Sequence, residues 1–308
     1  MFDVDKALTI WRSEVLRRSL RVQATILDAS RKFLQRQGFI EILPVIISPI
    51  TDPLTDYRMR GEVECYGFKY QITKSMIFHK QIALFAYPRI FCFSPNVRVE
   101  AVERQNSGKH LIEFVQLDLE VREASREEMM ALGEELFRHV VTAVKEKCAE
   151  DLSFFGQALT VPESPFLRIT YQEAETKYGP EFEENLSMSK TEPFWVVDFP
   201  IEAREFYDRE DPNRPGILID MDLYYPEGYG EALSGGEREY ELERICRRIQ
   251  QKGIQLDVFT LYLEVAKRGL YPSAGFGIGI ERLTRYLCGL KQIELTRLFA
   301  KLPGQLSL

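Results

Sequence analysis

Apolar residues recur at helical spacing near the start of the chain, at Val22, Ile26, Phe33 and Leu34, and predict a helix over 19–37. Gly38 follows as a terminator. Residues 39–47 read as a strand interrupted by Pro44, which suits an edge position such as a subunit interface. Prolines 44, 49 and 53 stiffen the loop that carries Asp52. Short strands are predicted over 67–72 and 89–93, with a helix over 75–86 between them. A polar loop over 101–109 leads into a long strand over 110–122 with a period of two. Leu111, Val115, Leu117, Leu119 and Val121 share one face, together with Glu113. Phe114, Gln116, Asp118 and Glu120 share the other. That second face is too polar for a core and reads as the floor of a pocket.

Ser125 and Glu128 form a capping box that opens a helix to about 148, with Met129, Leu132, Leu136, Val140 and Val144 as its buried stripe. Residues 150–190 carry no clear periodicity. Strands follow over 194–199 and 217–225, and helices over 239–253 and 258–268. Two glycine-bearing stretches stand out. Residues 230–240 place Glu231, Ser234, Gly235, Gly236 and Arg238 close together: hard oxygen ligands of the kind Mg²⁺ takes, bare backbone, and a guanidinium that can grip a carboxylate. The same stretch also reads as a polar surface turn. Residues 274–282 put Gly275, Gly277 and Gly279 on one strand face, where a flat ring could lie, before Arg282, which could stack on it. A tightly packed glycine strand fits that pattern as well.

The 308 residues show no internal repeat, linker or membrane-length apolar run, which implies a single domain and no membrane span. Five cysteines without metal-ligand spacing imply reduced thiols in a cytoplasmic protein. The net charge of −7 favours a small-molecule substrate over tRNA. The basic run Arg244, Arg247, Arg248 reads as a solvated helix face.

Three of these stretches line up in order. The chain resembles the catalytic core of class II aminoacyl-tRNA synthetases, in the aspartyl/asparaginyl branch. Residues 38–44 are similar to its motif 1, Arg98 to Glu100 with the strand over 110–121 to motif 2, and residues 277–282 to motif 3. The resemblance implies an α+β fold, an antiparallel sheet flanked by helices, and a homodimer built through motif 1. Motif 1 begins within the first forty residues, which implies that the family's anticodon-binding barrel is missing, and Pro44 sits one residue closer to Glu41 than usual. With residues 43–53, 229–239 and 272–275, this points to the archaeal-type asparagine synthetases related to asparaginyl-tRNA synthetase.

That resemblance implies ATP, Mg²⁺, aspartate and ammonia as ligands, and a β-aspartyl-adenylate on the way to asparagine. Arg98 would meet the α-phosphate and the reacting carboxylate, Glu100 the adenine amino group, and Lys109 and His110 the outer phosphates. Phe114 and Arg282 would sandwich adenine, with Leu111, Gly279 and Glu281 completing the ATP site. Glu231 and Ser234 would hold Mg²⁺. Asp52, Ser75, Lys80, Gln116, Asp118, Ser234 and Arg238 would bind aspartate; Ile77 replaces the usual glutamine. Arg98, Arg282 and Asp52 would be catalytic, with Asp52 or Glu237 taking the proton from ammonium. Two unpaired cations, Lys80 and Arg238, would favour a diacid, and Gly235-Gly236 would be a hinge. The alternatives are a truncated aspartyl- or asparaginyl-tRNA synthetase, a paralogue passing activated aspartate to another acceptor, and a catalytically silent subunit that keeps the fold.

Overall fold

A computed structural model describes residues 3–54 and 61–308. Helices α1 (Val4–Trp11) and α2 (Glu14–Arg36) precede strands β1 (Ile40–Glu41), β2 (Ile47–Ser48), β3 (Glu62–Cys65) and β4 (Phe68–Ile72). Next come α3 (Ile77–Ala83), β5 (Arg89–Val97), β6 (Glu113–Arg122), α4 (Arg126–Lys147) and α5 (Ala149–Phe154). Then follow β7 (Leu167–Thr170), α6 (Tyr171–Tyr178), α7 (Phe182–Met188), β8 (Phe194–Val197), β9 (Asp220–Tyr225) and β10 (Gly230–Glu237). The chain continues through α8 (Leu242–Gln251), α9 (Thr260–Ala266), β11 (Ser273–Gly279) and α10 (Ile280–Leu287).

The main sheet runs β1-β5-β6-β11-β10-β9-β8-β7, antiparallel except for the parallel pairs at its two ends. A second, antiparallel sheet is ordered β2-β4-β3. One face of the main sheet packs on α2, α4 and α10, burying Leu117, Leu119 and Val121 of β6 with Leu223, Leu233 and Phe276. Each such side chain contributes about 1.5–3 kcal/mol on leaving water. The opposite face stays polar. Beyond it, Phe78, Phe206, Phe259 and Tyr262 form a separate aromatic cluster under α3, α8 and α9. Ile77 joins this cluster, which explains an apolar residue at that position.

Most predicted elements are present. Gln37 caps α2, and Gly38 follows with φ +80°, a conformation glycine adopts freely. β1 is shorter than predicted, ends before Pro44, and lies at the sheet edge. The capping box of α4 forms with both of its reciprocal hydrogen bonds. All five cysteines are unpaired thiols. Among the described residues no helix is long and apolar enough to cross a membrane.

Three expectations are corrected. Residues 150–190 are not irregular: they hold α5, β7, α6 and α7, elements too short and polar to show a period. The stretch 230–240 is an inner strand, not a surface turn, and Gly235-Gly236 is no hinge. A Cβ on Gly235 would lie 2.2 Å from the Gly275 carbonyl oxygen, and one on Gly236 2.7 Å from Asp220 Cα. Arg248 is buried rather than solvated, because it turns inward from α8 toward residues 205–208.

The close approach at Gly235 leads to a prediction. Gly235→Ala should lower the unfolding free energy by about 1–3 kcal/mol through overpacking between β10 and β11. Urea denaturation measures this; a midpoint matching the parent would contradict the packing described here.

Candidate active site

The polar face of the sheet opens into a cleft of about 1270 Å³. All ten residues expected to meet ATP line it: Arg98, Glu100, Lys109, His110, Leu111, Phe114, Glu231, Gly279, Glu281 and Arg282. Strand alternation on β6 turns Phe114 and Gln116 into this space while Leu117 and Leu119 enter the core. The Arg98 guanidinium lies over the Phe114 ring, 5.0 Å from its centroid. Its Nε donates to the Lys74 carbonyl at 3.2 Å. Gln116 Oε1 accepts from Asn96 Nδ2 at 2.7 Å and from Arg98 Nη2 at 3.4 Å.

Cations along the cleft hold internal carboxylates: Arg282 meets Glu231 at 3.3 Å, Arg104 meets Glu100 at 2.9 Å, and Lys109 meets Glu184 at 3.5 Å. Glu281 is buried, accepts the Val115 N–H at 3.0 Å and pairs with Arg297 at 2.6 Å. It therefore ties α10 to β6 as well as lining the cleft. Burial, and then the nearby charge of Arg282, push His110 down to about 4. The imidazole is thus neutral at pH 7, and its Nδ1 lies 2.7 Å from Ser107 Oγ. The far wall comes from α6 and α7 through Tyr171, Tyr178, Phe182 and Glu183, the region whose sequence gave no signal.

The residues expected to bind aspartate divide differently. Gln116 lines the cleft, but Asp118 and Glu120, on the same face of β6, lie behind it in a buried charge network. Lys80 is only 3% exposed, so it is not a solvent-facing helix lysine. Its Nζ is 2.9 Å from Asp118 Oδ1 and 3.7 Å from Glu120 Oε2. Arg238 Nε is 3.2 Å from Glu120 Oε1, its Nη1 is 2.9 Å from Asp208 Oδ1, and its Nη2 donates to the Gly275 carbonyl at 2.9 Å. Burial works against the guanidinium charge, but Glu120 and Asp208 hold its pKa above the usual arginine value. The expectation of two unpaired cations is therefore overturned: both already have carboxylate partners.

Asp52 lies beside this network. Its Oδ2 accepts from Ser75 Oγ at 2.8 Å and from the Tyr207 hydroxyl at 3.0 Å. Burial raises its pKa, opposed mainly by Arg98. Among the described residues, Asp52 Oδ1 and Asp118 Oδ2 are buried without a hydrogen-bond donor. Such orphaned acceptors cost about 1–3 kcal/mol each, and an ammonium with its three N–H donors would satisfy them. Glu237 is corrected as a proton acceptor here. Strand parity puts it with Leu233 on the helix-covered face, where it accepts from the Arg126 backbone N–H at 3.2 Å and from Arg209 at 3.3 Å.

Glu231 and Ser234 gain a partner that sequence reading missed. Asp222 of β9 lies directly opposite Ser234 in the β9–β10 register. Its Oδ2 is 2.6 Å from Arg204, and its Oδ1 is buried without a donor. Burial pushes Asp222 up to about 7, opposed by Arg204 and reinforced by the charge of Glu231. The alternation of Asp220, Asp222 and Tyr224 on one strand face was the available signal. No group of three or more His, Cys, Asp or Glu residues that could hold a metal occurs among the described residues. Two carboxylates and a hydroxyl fit Mg²⁺ that keeps several waters and phosphate oxygens.

Comparison with known proteins agrees with this geometry. Residues 3–303 match the family model described as tRNA synthetases class II (D, K and N). The chain is 29% identical over 316 residues to asparagine–tRNA ligase of Pyrococcus abyssi, covering 96% of this chain and 70% of the relative. It is 30% identical over 315 residues to asparagine–tRNA ligase of Symbiobacterium thermophilum, covering 93% and 70%. Among solved structures, asparaginyl-tRNA synthetase from Pyrococcus horikoshii complexed with asparaginyl-adenylate superposes with a TM-score of 0.88 at 27% identity, covering 96% and 70%. Aspartyl tRNA synthetase from Entamoeba histolytica superposes with a TM-score of 0.77 at 25% identity, covering 96% and 61%.

The depressed histidine sets a pH test. Between about 6.5 and about 4 the unfolded chain binds a proton at His110 that the folded chain excludes, so stability falls as pH falls through that window. His110→Asn should lose this increment. Denaturation of both proteins at pH 7 and pH 5 measures it, and equal pH dependence in the two would refute it.

Proposed function

Because the chain belongs to the class II tRNA synthetase family of the D, K and N type, we propose that it is an ATP-dependent ligase that activates aspartate as an adenylate. A carboxylate oxygen of aspartate attacks the α-phosphorus and pyrophosphate departs. An acceptor nucleophile then attacks the acyl carbon, loses its proton, and AMP leaves. The observation that carries this reading is the meeting of an ATP-sized cleft with a buried Lys80–Arg238 network along one face of β6.

Arg98 lies where the two regions join and would bind both the α-phosphate and the reacting carboxylate. Phe114 and Arg282 would hold adenine between them, over bare backbone at Gly279, while Glu100 takes its amino group. Leu111 and Glu281 would complete the ATP wall. His110 would act as a neutral N–H donor toward the outer phosphates, beside Lys109. Glu231, Ser234 and Asp222 would hold Mg²⁺, which offsets phosphate charge when bound. Asp52, Ser75, Gln116 and Asp118 would orient the substrate ammonium. Lys80 and Arg238 would take the carboxylate that is not activated by exchanging internal partners for the ligand. A diacid would require this exchange, since both cations already hold internal carboxylates.

The similar proteins are named as tRNA ligases, which supports a tRNA 3′ end as the acceptor. A second reading, with ammonia as the acceptor and asparagine as the product, is favoured by one observation. Two buried carboxylate oxygens, on Asp52 and Asp118, lack donors among the described residues, and an ammonium would supply N–H donors of the kind they need. In that reading the β-carboxylate faces Arg98, and Lys80 and Arg238 hold the α-carboxylate.

Pyrophosphate exchange with aspartate or asparagine tests the activation step. Exchange with asparagine alone would overturn the choice of substrate. Labelled aspartate with ammonium, or with total tRNA, then separates the two acceptors by product. Lys80→Met should raise the KM for the amino acid about 30-fold or more, since truncating one partner of a buried charge pair is costly, while the KM for ATP stays near the parent value. A matching rise in both would show that Lys80 does not read the amino acid.

We also expect a homodimer through the β1 edge, where Leu43 is 91% exposed and Ile40 and Ile46 are exposed beside it. Sedimentation should give twice the chain mass, and Leu43→Glu should weaken association; a monomer at micromolar concentration would remove this expectation.

A further inference from the structure

No hydrophobic period marks residues 204–208, yet this segment reaches the cleft wall through Arg204 and the buried network through Tyr207 and Asp208. Arg204 stacks on Phe199, 3.9 Å from the ring centroid, and pairs with Asp220 at 3.0 Å and Asp222 at 2.6 Å. Phe206 anchors the segment in the aromatic cluster. Tyr207 donates its hydroxyl to Asp52, and Asp208 holds Arg238. No helix or strand ladder fixes it. Its backbone is instead held at isolated points: Glu239 N–H to the Tyr207 carbonyl at 2.8 Å, Arg209 N–H to the Glu237 carbonyl at 3.0 Å, and a bridge between Asp208 and Arg238.

Within the turn the Asp208 N–H reaches the Glu205 carbonyl only at 3.5 Å, and Arg248 adds a side-chain constraint. It reaches from α8, is 2% exposed, and donates from Nη1 to the Asp208 carbonyl at 2.5 Å and from Nη2 to the Glu205 carbonyl at 2.9 Å. The two carbonyls are three residues apart, so the planar guanidinium clamps both ends of one turn. Lysine has three donors on one rotatable nitrogen but lacks the fixed fork that spans both carbonyls. The charge-assisted bonds to carbonyl oxygens partly offset the cost of burying the guanidinium. Among the described residues, the side-chain hydrogen bonds of Arg248 go to this turn alone.

We propose that Arg248 is a positioning residue for the amino-acid pocket: by clamping the turn from Glu205 to Asp208 it fixes Tyr207 against Asp52 and Asp208 against Arg238. The geometry stands without the adenylation reading, and only its kinetic test rests on that reading. The clamp acts on the amino-acid end and leaves the adenine end, at Phe114 and Arg282, untouched.

The test compares Arg248→Met, Arg248→Lys and Tyr207→Phe with the parent enzyme. In pyrophosphate exchange, Arg248→Met should raise the KM for aspartate about tenfold, the size expected for losing charge-assisted hydrogen bonds. The KM for ATP should stay within about twofold of the parent, since no contact to the adenine wall is lost. Arg248→Lys should fall between Met and the parent. Tyr207→Phe should raise the same KM, and the double variant should show less than the product of the two effects. If Arg248→Met does not fold, the lysine and Tyr207→Phe variants carry the comparison. A variant with a lower melting temperature but unchanged KM for aspartate would make Arg248 merely structural and overturn the proposal.

Should the parent show no exchange with any amino acid, the adenylation reading fails by itself. Hydrogen exchange on the ligand-free protein then decides the clamp. Arg248→Lys should lose protection at the Arg209 and Glu239 amides while the β6 amides keep theirs. Unchanged protection at Arg209 and Glu239 overturns the proposal.

Discussion

A continuous line of buried charge, Asp118–Lys80–Glu120–Arg238–Asp208, is the constraint on which the rest of the site depends. Its members come from β6, α3, the segment after β10 and the turn before β9. Burying any one of these charges alone would be prohibitive; removing one partner from such a group costs about 3–5 kcal/mol. The elements that carry them must therefore arrive together, and this joins the aromatic cluster under α3 and α8 to the main sheet. The glycine strand belongs to the same constraint. A Cβ on Gly275 would fall 2.2 Å from Glu120 Oε2, so this glycine makes room for a carboxylate. Only toward Gly279 does the bare backbone face the open cleft. One run of alternating glycines thus serves a charge network at one end and a ligand surface at the other.

The cleft and the network differ in how they hold charge. In the cleft, Arg282–Glu231 and Lys109–Glu184 are part-exposed pairs, each worth little. Phosphate oxygens could take those cations at small cost. The network behind Gln116 is buried, and a ligand entering it would have to return an equivalent partner for every bond it opens. Such a network would reject a poorly matched ligand through the partners left unsatisfied. Loose exchange in the open cleft and strict exchange in the buried network follow from burial alone.

The legible parts of the chain were those where periodicity survives. The capped helix α4, the alternation of β6 and the glycine run of β11 could each be read because one face is dry and the other is not. Phe114, Gln116, Asp118 and Glu120 followed from that parity. Residues 150–190 were illegible because elements of four to eight residues cover too few turns to show a period. Asp222, Tyr207, Asp208 and Arg248 were missed for another reason: a charged or hydroxyl-bearing residue signals solvent unless its partner is known, and each partner lies far away in sequence. Glu237 was misplaced because the stretch around it read as a turn, and only a strand assignment reveals which face it takes.

Glu237 has a consequence for β10. Its carboxylate accepts the N–H of Arg126 at the start of α4, a helix of 22 residues, where the positive end of the peptide dipoles favours an anion. The strand that presents Glu231 and Ser234 is thereby pinned by a helix on the far side of the sheet. A slip of one residue would carry Ser234 into the hydrocarbon core and Leu233 into the cleft. A slip of two would keep the faces but pull the carboxylate off the helix end. Helix α4, with no side chain in the cleft, acts as the register stop that sets how far Glu231 stands into the cleft.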